Sequence, residues 1–585
     1  MTGRFRRALR SFRKELQDSP GSRSRSRSLD SSPRGRGRTG SNSDEADDQV
    51  DDEIVPLEND ERRIDYDDAN SIIGGHSVKD ENNNEKQTFW FSLPFSNPLA
   101  GIDLPSFRLR SIFRSETDPV DPFKLTVLDS RQEEEEFRHV REQDNSRLRA
   151  VRHSLLPNLS IDMLNPLATP KDEFPAIDGD VVILGGYRGS ILRDRETGRR
   201  VWIPIKVGLN LRRIDLTVGI TDQDEIEMEK KVYPDGMLTH IGPVDVSRKL
   251  IRKLQSSPKC NVHEFSYDWR LSCSLSSQKL VEFLKAIQEK QKTKRKIIVI
   301  AHSMGGLIAH HAMQKHPELF RGLIYAGVPS SCPNILGPLR YGDSVLLSSK
   351  VLTAKVNFLM RSSFVFLPLD GRCFVDRKDT TIRYDLDFFD VKTWIEYGLS
   401  PCVAESLDVR RTQTNSYQEE APPTQKRFIS EMPKLPTRAR SQTFTLPDNE
   451  MIPYDDAVEY LDRTLKKTKQ FLMELEYDPA KADQYPPLVE LYGFTVPTLR
   501  GSRVNGPEGI KAGDYNDLVF GPGDGVVYHK SLMPEGKGFE PVLRQPSDRG
   551  HVNLLNDVDG VGKALNAILQ AEKEKLNRNS NDLTT

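Results

Sequence analysis

The segment KIIVIAHSMGGL, residues 296–307, restricts the possible folds of this chain more than any other stretch. Its first half is apolar and largely β-branched, which is typical of a buried strand in a parallel sheet. The turn HSMGG follows, and residues with helical spacing come after it. A strand, a sharp turn and a helix in this order make the turn serine project from the top of a sheet as a nucleophile. Ser303 is therefore the candidate nucleophile.

Two small residues flank Ser303 at the spacing that such a turn requires. Ala301 lies two positions before the serine and Gly305 two positions after it, so strand and helix can approach closely. Ala301 stands where this turn usually has glycine, a difference of one methyl group. The alternative interpretation is a glycine-capped turn in a Rossmann-like domain without catalytic function.

Apolar runs alternate with helical patterns on both sides of this turn. The predicted strands are 180–184, 262–267, 296–301, 322–326, 489–494 and 525–528. The predicted helices are 244–254, 277–291, 305–315, 455–475 and 553–569. Strands that alternate with helices form a mostly parallel sheet with helices on both faces. We therefore predict the α/β class, as an α/β-hydrolase fold with a cap or lid insertion and long disordered segments.

Composition indicates that a large part of the chain cannot bury a core. Only 36% of the 585 residues are hydrophobic and the mean hydropathy is -0.57, whereas globular chains have roughly 45–50% apolar residues. We predict two parts of the hydrolase core, 178–334 and 451–571, with a cap at 335–403 between them. The remaining predicted segments are a disordered N-terminal region (1–120), a charged helical or linker segment (121–177), a disordered insertion (404–450) and a disordered tail (572–585).

The first 40 residues carry twelve Lys and Arg side chains against three acids. Phe5, Leu9, Phe12 and Leu16 share one helical face there, with basic residues around the rest. A helix over 1–18 of this kind can lie on an anionic membrane surface or a lipid droplet. A mitochondrial presequence and a disordered basic tail are the alternatives.

Charge and cysteine usage exclude several classes of function. The net charge is -2, so no global field favours nucleic acid, and we expect no such partner. The five cysteines are widely spaced and odd in number, which favours free thiols, an intracellular and cytoplasmic location and no metal site. No apolar run reaches about 18 residues, so no transmembrane helix is expected, and no pattern indicates a cofactor.

A nucleophilic serine needs a base and an acid, which follow it in chain order in this fold. His310, His311 and His316 lie on or just after the predicted helix that follows the serine. His551, in the loop SDRGHVNLL, is the favoured base, with His529 as the alternative. Asp524, between glycines in GPGDGVV, is the favoured acid. The alternative acids are Asp514, Asp517 and Asp548, which also suit solvated loop carboxylates.

The tetrahedral oxyanion needs preorganised N–H donors. The residue after the nucleophile, Met304, supplies one of them in this fold. The loop GGYRGS after the first predicted strand is expected to supply the other, with Tyr187 as the candidate. Gly185 and Gly186 let that backbone turn inward. A phosphate-binding turn is the alternative interpretation of the same loop.

Four segments resemble the lecithin:cholesterol acyltransferase family, which includes phospholipid:diacylglycerol acyltransferases. They are VVILGGYRGSIL (181–192), FSYDWRLS (265–272), IVIAHSMGGL (298–307) and GDGVV (523–527), with LYGFTVPT (491–498) as a weaker fifth. The likeness covers under half of the chain. The loop GVPSSCPN departs from the family's Pro-Trp-Gly-Gly pattern, and 404–450 has no obvious counterpart there.

The resemblance implies a capped α/β-hydrolase that acts on ester lipids through a Ser-Asp-His triad without metal or cofactor. It maps the triad onto Ser303, Asp524 and His551, and the oxyanion donors onto Tyr187 and Met304. For Asp268, Trp269 and Arg270 it implies a structural ion pair and an aromatic wall near the acyl site. A strand-end ion pair beside a core tryptophan is the equally weighted alternative.

Two functions follow as hypotheses. The first is a lipid O-acyltransferase or lipase with a lipid ester as substrate, in which aromatic residues of 335–403 form the acyl pocket. The second is a non-catalytic hydrolase-fold scaffold with phosphorylatable disordered arms. Sequence alone makes no prediction of oligomeric state.

Overall fold

The computed structural model describes residues 174–203, 215–241, 244–345, 348–404 and 452–582. Three predicted segments lie outside these ranges: the N-terminal region 1–120 with its basic start, the charged segment up to residue 173, and the insertion from 405 to 450.

Seventeen strands are distributed over the described residues. They are β1 Gly179–Leu184, β2 Ser190–Asp194, β3 Arg200–Trp202, β4 Val232–Met237, β5 His240–Ile241, β6 Val244–Asp245, β7 Cys260–Phe265, β8 Ile297–His302, β9 Phe320–Ala326, β10 Asp343–Val345, β11 Ser348–Leu352, β12 Phe374–Asp376, β13 Arg383–Tyr384, β14 Leu488–Gly493, β15 Val496–Val504, β16 Asp517–Gly523 and β17 Leu543–Ser547.

Ten α-helices lie between these strands in the described part of the chain. They are α1 Asp222–Lys231, α2 Arg248–Gln255, α3 Cys273–Lys290, α4 Met304–Lys315, α5 Leu336–Tyr341, α6 Ala354–Leu359, α7 Val391–Glu396, α8 Tyr454–Met473, α9 Gly506–Ala512 and α10 Val558–Asp582. None of them is long and apolar enough to cross a membrane.

Six strands form the central sheet in the order β17-β14-β9-β8-β1-β7, and every neighbouring pair is parallel. The predicted parallel α/β sheet is thereby confirmed. Because all six strands point the same way, their carboxyl ends meet at one edge of the sheet. The turn that holds Ser303 follows β8 at this edge.

Alternating side chains of the strands separate two apolar layers. On one face, Val181 and Ile183 of β1 pack in a cluster with residues of α2 and α10. On the other, Val182 and Leu184 belong to a larger cluster that includes α3, α4 and the 335–403 region. Successive strand residues point to opposite faces, so near-continuous apolar runs are needed in a sheet covered on both sides.

Three element predictions differ from the structure. The segment predicted as a helix over 244–254 begins as strand β6 and becomes helical only at Arg248. Residues 525–528 form a turn instead of a strand, because the backbone N–H groups of Val526 and Val527 donate to the Asp524 carboxylate. The predicted tail from 572 is helical as far as Asp582, since its Ala, Glu, Lys and Leu residues are strong helix formers.

The predicted cap, 335–403, packs over the carboxyl-end side of the core with the small sheet β13-β12-β15-β16. Its aromatic residues are mostly core residues: Phe358, Phe364 and Trp394 are fully buried and contact one another in series. All five cysteines are buried, and no disulfide joins any two of them.

Candidate active site

Ser303 occupies a strained backbone conformation between β8 and α4. Its φ is 53° and its ψ is -132°, a region that L-residues adopt only when the surroundings hold them there. Its N–H donates to the carbonyl of Ala326 on the neighbouring strand at 2.9 Å. Among the described residues only Arg188 shares a positive φ without being glycine. A strained serine between a strand and a helix is the backbone geometry of a nucleophile turn.

His551 lies between Ser303 and Asp524 and contacts both. Its Nε2 is 3.0 Å from Ser303 Oγ, and its Nδ1 is 2.7 Å from Asp524 Oδ2. A carboxylate only accepts hydrogen bonds, so the proton of the neutral ring is on Nδ1. Nε2 is then the lone-pair nitrogen, and it can accept the proton of the Ser303 hydroxyl.

The Asp524 carboxylate is held on both oxygens. Oδ1 accepts the backbone N–H groups of Val526 (2.9 Å) and Val527 (2.7 Å), while Oδ2 faces His551. Its backbone carbonyl also accepts the N–H of His551 at 2.8 Å. Asp524 is only 1% exposed, and hydrogen bonds of this kind stabilise an ionised carboxylate in a buried position.

Asp524 reaches this position by a detour of the chain. After β14 ends at Gly493, the chain enters β15 and returns along the antiparallel strand β16. Val496 and Asp524 then lie side by side, so the carboxylate arrives near the carboxyl end of β14. The strand that precedes Asp524 therefore belongs to the small sheet and not to the central one.

Glycine is required beside the Asp524–His551 pair. Gly327 has a φ of 58°, and a Cβ at this position would lie 2.8 Å from Asp524 Oδ2 and 3.2 Å from His551 Nδ1. It is the first residue of the loop GVPSSCPN, which follows β9. The small size of this residue leaves room for the carboxylate and the imidazole to meet.

His302 supports the loop that carries His551. Its Nε2 lies 2.8 Å from the backbone carbonyl of His551, and the two rings lie 4.7 Å apart. Burial lowers the pKa of His302 to about 3, with the neighbouring His551 as a smaller cause. His302 is therefore neutral, and it donates its Nε2–H to that carbonyl. Sequence reasoning missed this contact because its partner lies 249 positions away.

The turn after β1 packs directly against the nucleophile. A Cβ on Gly186 would lie 2.9 Å from Ser303 Oγ, and a Cβ on Gly305 would overlap the carbonyl of Gly185. Tyr187 follows Gly186, and Met304 is the first residue of α4. The structure thus brings the two predicted oxyanion donors to the two backbone segments beside Ser303.

The YDWR motif supports this glycine turn. Tyr267 donates its hydroxyl to the carbonyl of Gly185 at 2.9 Å, and Trp269 donates Nε1–H to the carbonyl of Ser190 at 3.1 Å. Asp268 and Arg270 form a buried bidentate ion pair with each other, at 2.9 and 2.6 Å. The Trp269 ring meets the Tyr187 ring edge-on, with the ring centroids 5.9 Å apart.

The 335–403 region contacts the same turn from the other side. The Tyr187 hydroxyl is 2.9 Å from Ser363 Oγ, and its ring meets Phe366 edge-on at 5.3 Å. Arg188 forms a buried ion pair with Asp343 at 2.6 Å and donates to Asn357 at 3.0 Å. Sequence gave no signal for these contacts, since the partners lie more than 150 positions from the turn.

The alternative residues lie elsewhere. Asp514 pairs with Arg377 at 3.1 Å, and Asp517 pairs with Arg503 at 3.1 Å. His529 is buried against the Tyr528 ring, and Asp548 is exposed. The histidines of α4 point to other partners: His310 bonds the Tyr325 hydroxyl, and His311 bonds Ser277 and Glu474.

Similarity to known proteins is found at the level of a family model, a related protein and solved structures. A family model described as "Hydrolase_4: Serine aminopeptidase, S33" matches residues 272–350, which include β8, Ser303 and α4. The uncharacterized protein YJR098C of Saccharomyces cerevisiae is 43% identical over 551 residues, covering 87% of this chain and 83% of the yeast protein. A chain in the crystal structure of the Tle4-Tli4 complex is 13% identical with a TM-score of 0.40, covering 68% of this chain and 99% of that one.

The parallel sheet, its strained serine turn and the hydrolase family model identify an α/β-hydrolase fold. Within this superfamily, the chain belongs to the same family as the yeast protein YJR098C.

Proposed function

We propose that this protein is a serine acyl hydrolase or O-acyltransferase whose catalytic triad is Ser303, His551 and Asp524. The observation that carries the proposal is the continuous path from Ser303 Oγ to His551 Nε2 (3.0 Å) and from His551 Nδ1 to Asp524 (2.7 Å). The same three groups, so arranged, perform acyl transfer on unrelated folds.

The reaction begins with attack of Ser303 Oγ on the substrate carbonyl carbon, while His551 Nε2 takes the hydroxyl proton. The oxyanion of the tetrahedral intermediate accepts hydrogen bonds from the backbone N–H groups of Met304 and Tyr187. As the carbon–oxygen bond to the leaving alcohol breaks, His551 returns the proton to that alcohol. Water or a second alcohol then attacks the acyl-enzyme, with His551 again as base.

Lipid esters are the proposed substrates. The support is the resemblance of the glycine turn, the YDWR segment, the serine turn and GDGVV to lecithin:cholesterol acyltransferases. The apolar surroundings of the site also suit a lipid ester, because the rings of Phe366 and Trp269 pack against Tyr187. The matching family model is named for a serine aminopeptidase, so amide substrates are the comparison that the assay must include.

A fluorophosphonate probe tests the catalytic assignment. The folded wild-type protein should become labelled at Ser303, and Ser303→Ala should abolish labelling. Ser274→Ala is the matched control, because Ser274 lies in the first turn of α3 and its hydroxyl donates to the neighbouring Ser272 hydroxyl at 3.4 Å. Equal labelling of wild type and Ser303→Ala, or no labelling of the wild type, would refute the proposal.

Product analysis separates hydrolysis from transfer. The purified protein is incubated with a labelled phospholipid or triacylglycerol, with and without a diacylglycerol acceptor, and an aminoacyl amide is tested in parallel. Free fatty acid indicates a lipase, and a new acyl ester that requires Ser303 indicates a transferase. Cleavage of the amide alone would overturn the lipid assignment while leaving the triad intact.

A further inference from the structure

A cavity of about 530 Å³ lies beside the turn that orients Asp524. Its walls come from the small sheet β13-β12-β15-β16, from the loop after β9 and from the segment 526–531. Val526 lines the cavity and also donates its N–H to Asp524. The catalytic mechanism proposed above does not use this cavity.

Cationic side chains are prominent in the described lining of this cavity. Among the lining residues that the structure describes are four cationic side chains, Arg372, Arg383, Arg500 and Lys530, and one carboxylate, Asp370. Concave surfaces of one sign concentrate ligands of the opposite sign.

The intramolecular ion pairs of two of these arginines are weak. Arg372 Nε lies 3.5 Å from Asp370, and Arg383 lies 3.9 Å from Asp385. Both arginine side chains are about half exposed, at 57% for Arg372 and 49% for Arg383. Contacts this long at exposed positions contribute little, so a ligand with a higher charge density can compete for the guanidinium groups.

The remaining lining fits an amphiphilic phosphate. Hydroxyl groups of Thr381, Ser331 and Tyr528 offer further hydrogen bonds, while Phe374 and Leu499 provide apolar wall. Arginine forks match the geometry of phosphate oxygens and bind them bidentately. We propose that this cavity binds a phosphate-bearing ligand, either a soluble phosphate ester or the headgroup of an anionic phospholipid.

Binding is measured on the full chain carrying Ser303→Ala, so that no ligand is turned over. Calorimetric titration uses inorganic phosphate and glycerol 3-phosphate, and co-sedimentation uses phosphatidylcholine vesicles with and without phosphatidic acid. The test variant adds Arg372→Gln and Arg383→Gln. The matched control adds Arg295→Gln and Lys466→Gln, which remove two exposed charges far from the cavity lining.

We expect the Arg372→Gln/Arg383→Gln variant to bind about tenfold more weakly, and the control to bind within about twofold of the parent. If this variant loses binding to the soluble phosphates, the cavity is a phosphate ester site. If it loses only binding to the phosphatidic acid vesicles, the cavity is a headgroup site. The inference is overturned if the parent binds none of these probes, or if both variants lose binding equally. Because the readout is binding to a Ser303→Ala chain, its failure leaves the proposed catalytic function untouched.

Discussion

Single side chains at the carboxyl edge of the sheet each have a separable task. Asp524 uses one oxygen to accept two backbone N–H groups and the other to orient His551. His302 hydrogen-bonds the backbone carbonyl of His551. Gly327 has no side chain, which leaves space for the Asp524–His551 pair. The site is thus a set of short contacts that substitutions can test individually.

Asp524→Asn tests the orientation of the imidazole. The asparagine oxygen can still accept from Val526 and Val527, so its NH₂ group faces His551 Nδ1 and enforces the wrong tautomer. We expect kcat on an ester substrate to fall by about 10⁴, with the urea denaturation midpoint nearly unchanged. An active Asp524→Asn protein would contradict the role of this carboxylate.

His302→Phe tests whether the hydrogen bond from His302 to the backbone carbonyl of His551 positions that residue. Loss of the Nε2–H donor leaves the His551 carbonyl without this partner, and a shift of about 1 Å in the base costs about 10²-fold in kcat. His302→Gln retains a donor and should recover part of that loss, while KM stays close to the wild-type value in both. Equal kcat values for the Phe and Gln variants would show that the hydrogen bond is irrelevant to catalysis.

At the scale of elements, neighbouring strands are joined by a buried ion pair. Glu490 of β14 lies opposite Arg544 of β17 in the parallel register, and the Nε–Oε2 distance is 3.0 Å. Burial raises the pKa of Glu490 to about 7, and the charge of Arg544 opposes this rise only in part. The folded state therefore binds a proton at a pH at which the unfolded chain has lost it.

Stability should consequently fall as the pH rises. The contribution of the protonated Glu490 is complete below its ordinary pKa of 4.5 and is lost as the pH passes through about 7. Relative to Glu490→Gln, the free energy of unfolding of the wild type should decline across this window by up to about 3 kcal/mol. Urea denaturation between pH 4 and 8 measures it, and parallel pH curves for both proteins would disprove it.

The elements themselves were largely predictable, and their exceptions have physical causes. The runs at 180–184, 296–301 and 322–326 are strands of the central sheet, because a sheet covered on both faces needs continuous apolar sequence. Val526 and Val527 have the same β-branched character, but their N–H groups donate to the Asp524 carboxylate and are therefore not available for strand pairing. Local pattern cannot reveal such competition.

At the scale of the whole molecule, the 335–403 region contacts the core at the turn GGYRGS, residues 185–190. One of these contacts is the Arg188–Asp343 ion pair, in which neither side chain is more than 3% exposed. Asn357 accepts from the same guanidinium group. Movement of this region would therefore displace the turn that holds Tyr187.

Asp343→Ala measures this attachment. It leaves the Arg188 charge buried beside only a neutral amide, and we expect a loss of about 3–5 kcal/mol in the free energy of unfolding. Asp385→Ala is the control, because that exposed carboxylate lies 3.9 Å from its arginine and should contribute less than about 1 kcal/mol. Similar urea midpoints for the two variants would rule out an anchoring role for Asp343.

The sequence by itself determined the sheet, the serine turn and the residue types of the site, because these depend on short-range periodicity and on small residues at fixed offsets from Ser303. The sequence favoured His551 over His529 as base and Asp524 as acid, but only the tertiary structure places Asp524 against His551 and His551 against Ser303. That placement depends on the detour through β15 and β16, which returns Asp524 beside Val496. The contacts of His302, Arg188 and Tyr187 likewise join positions 155 to 249 residues apart, distances over which sequence pattern holds no information.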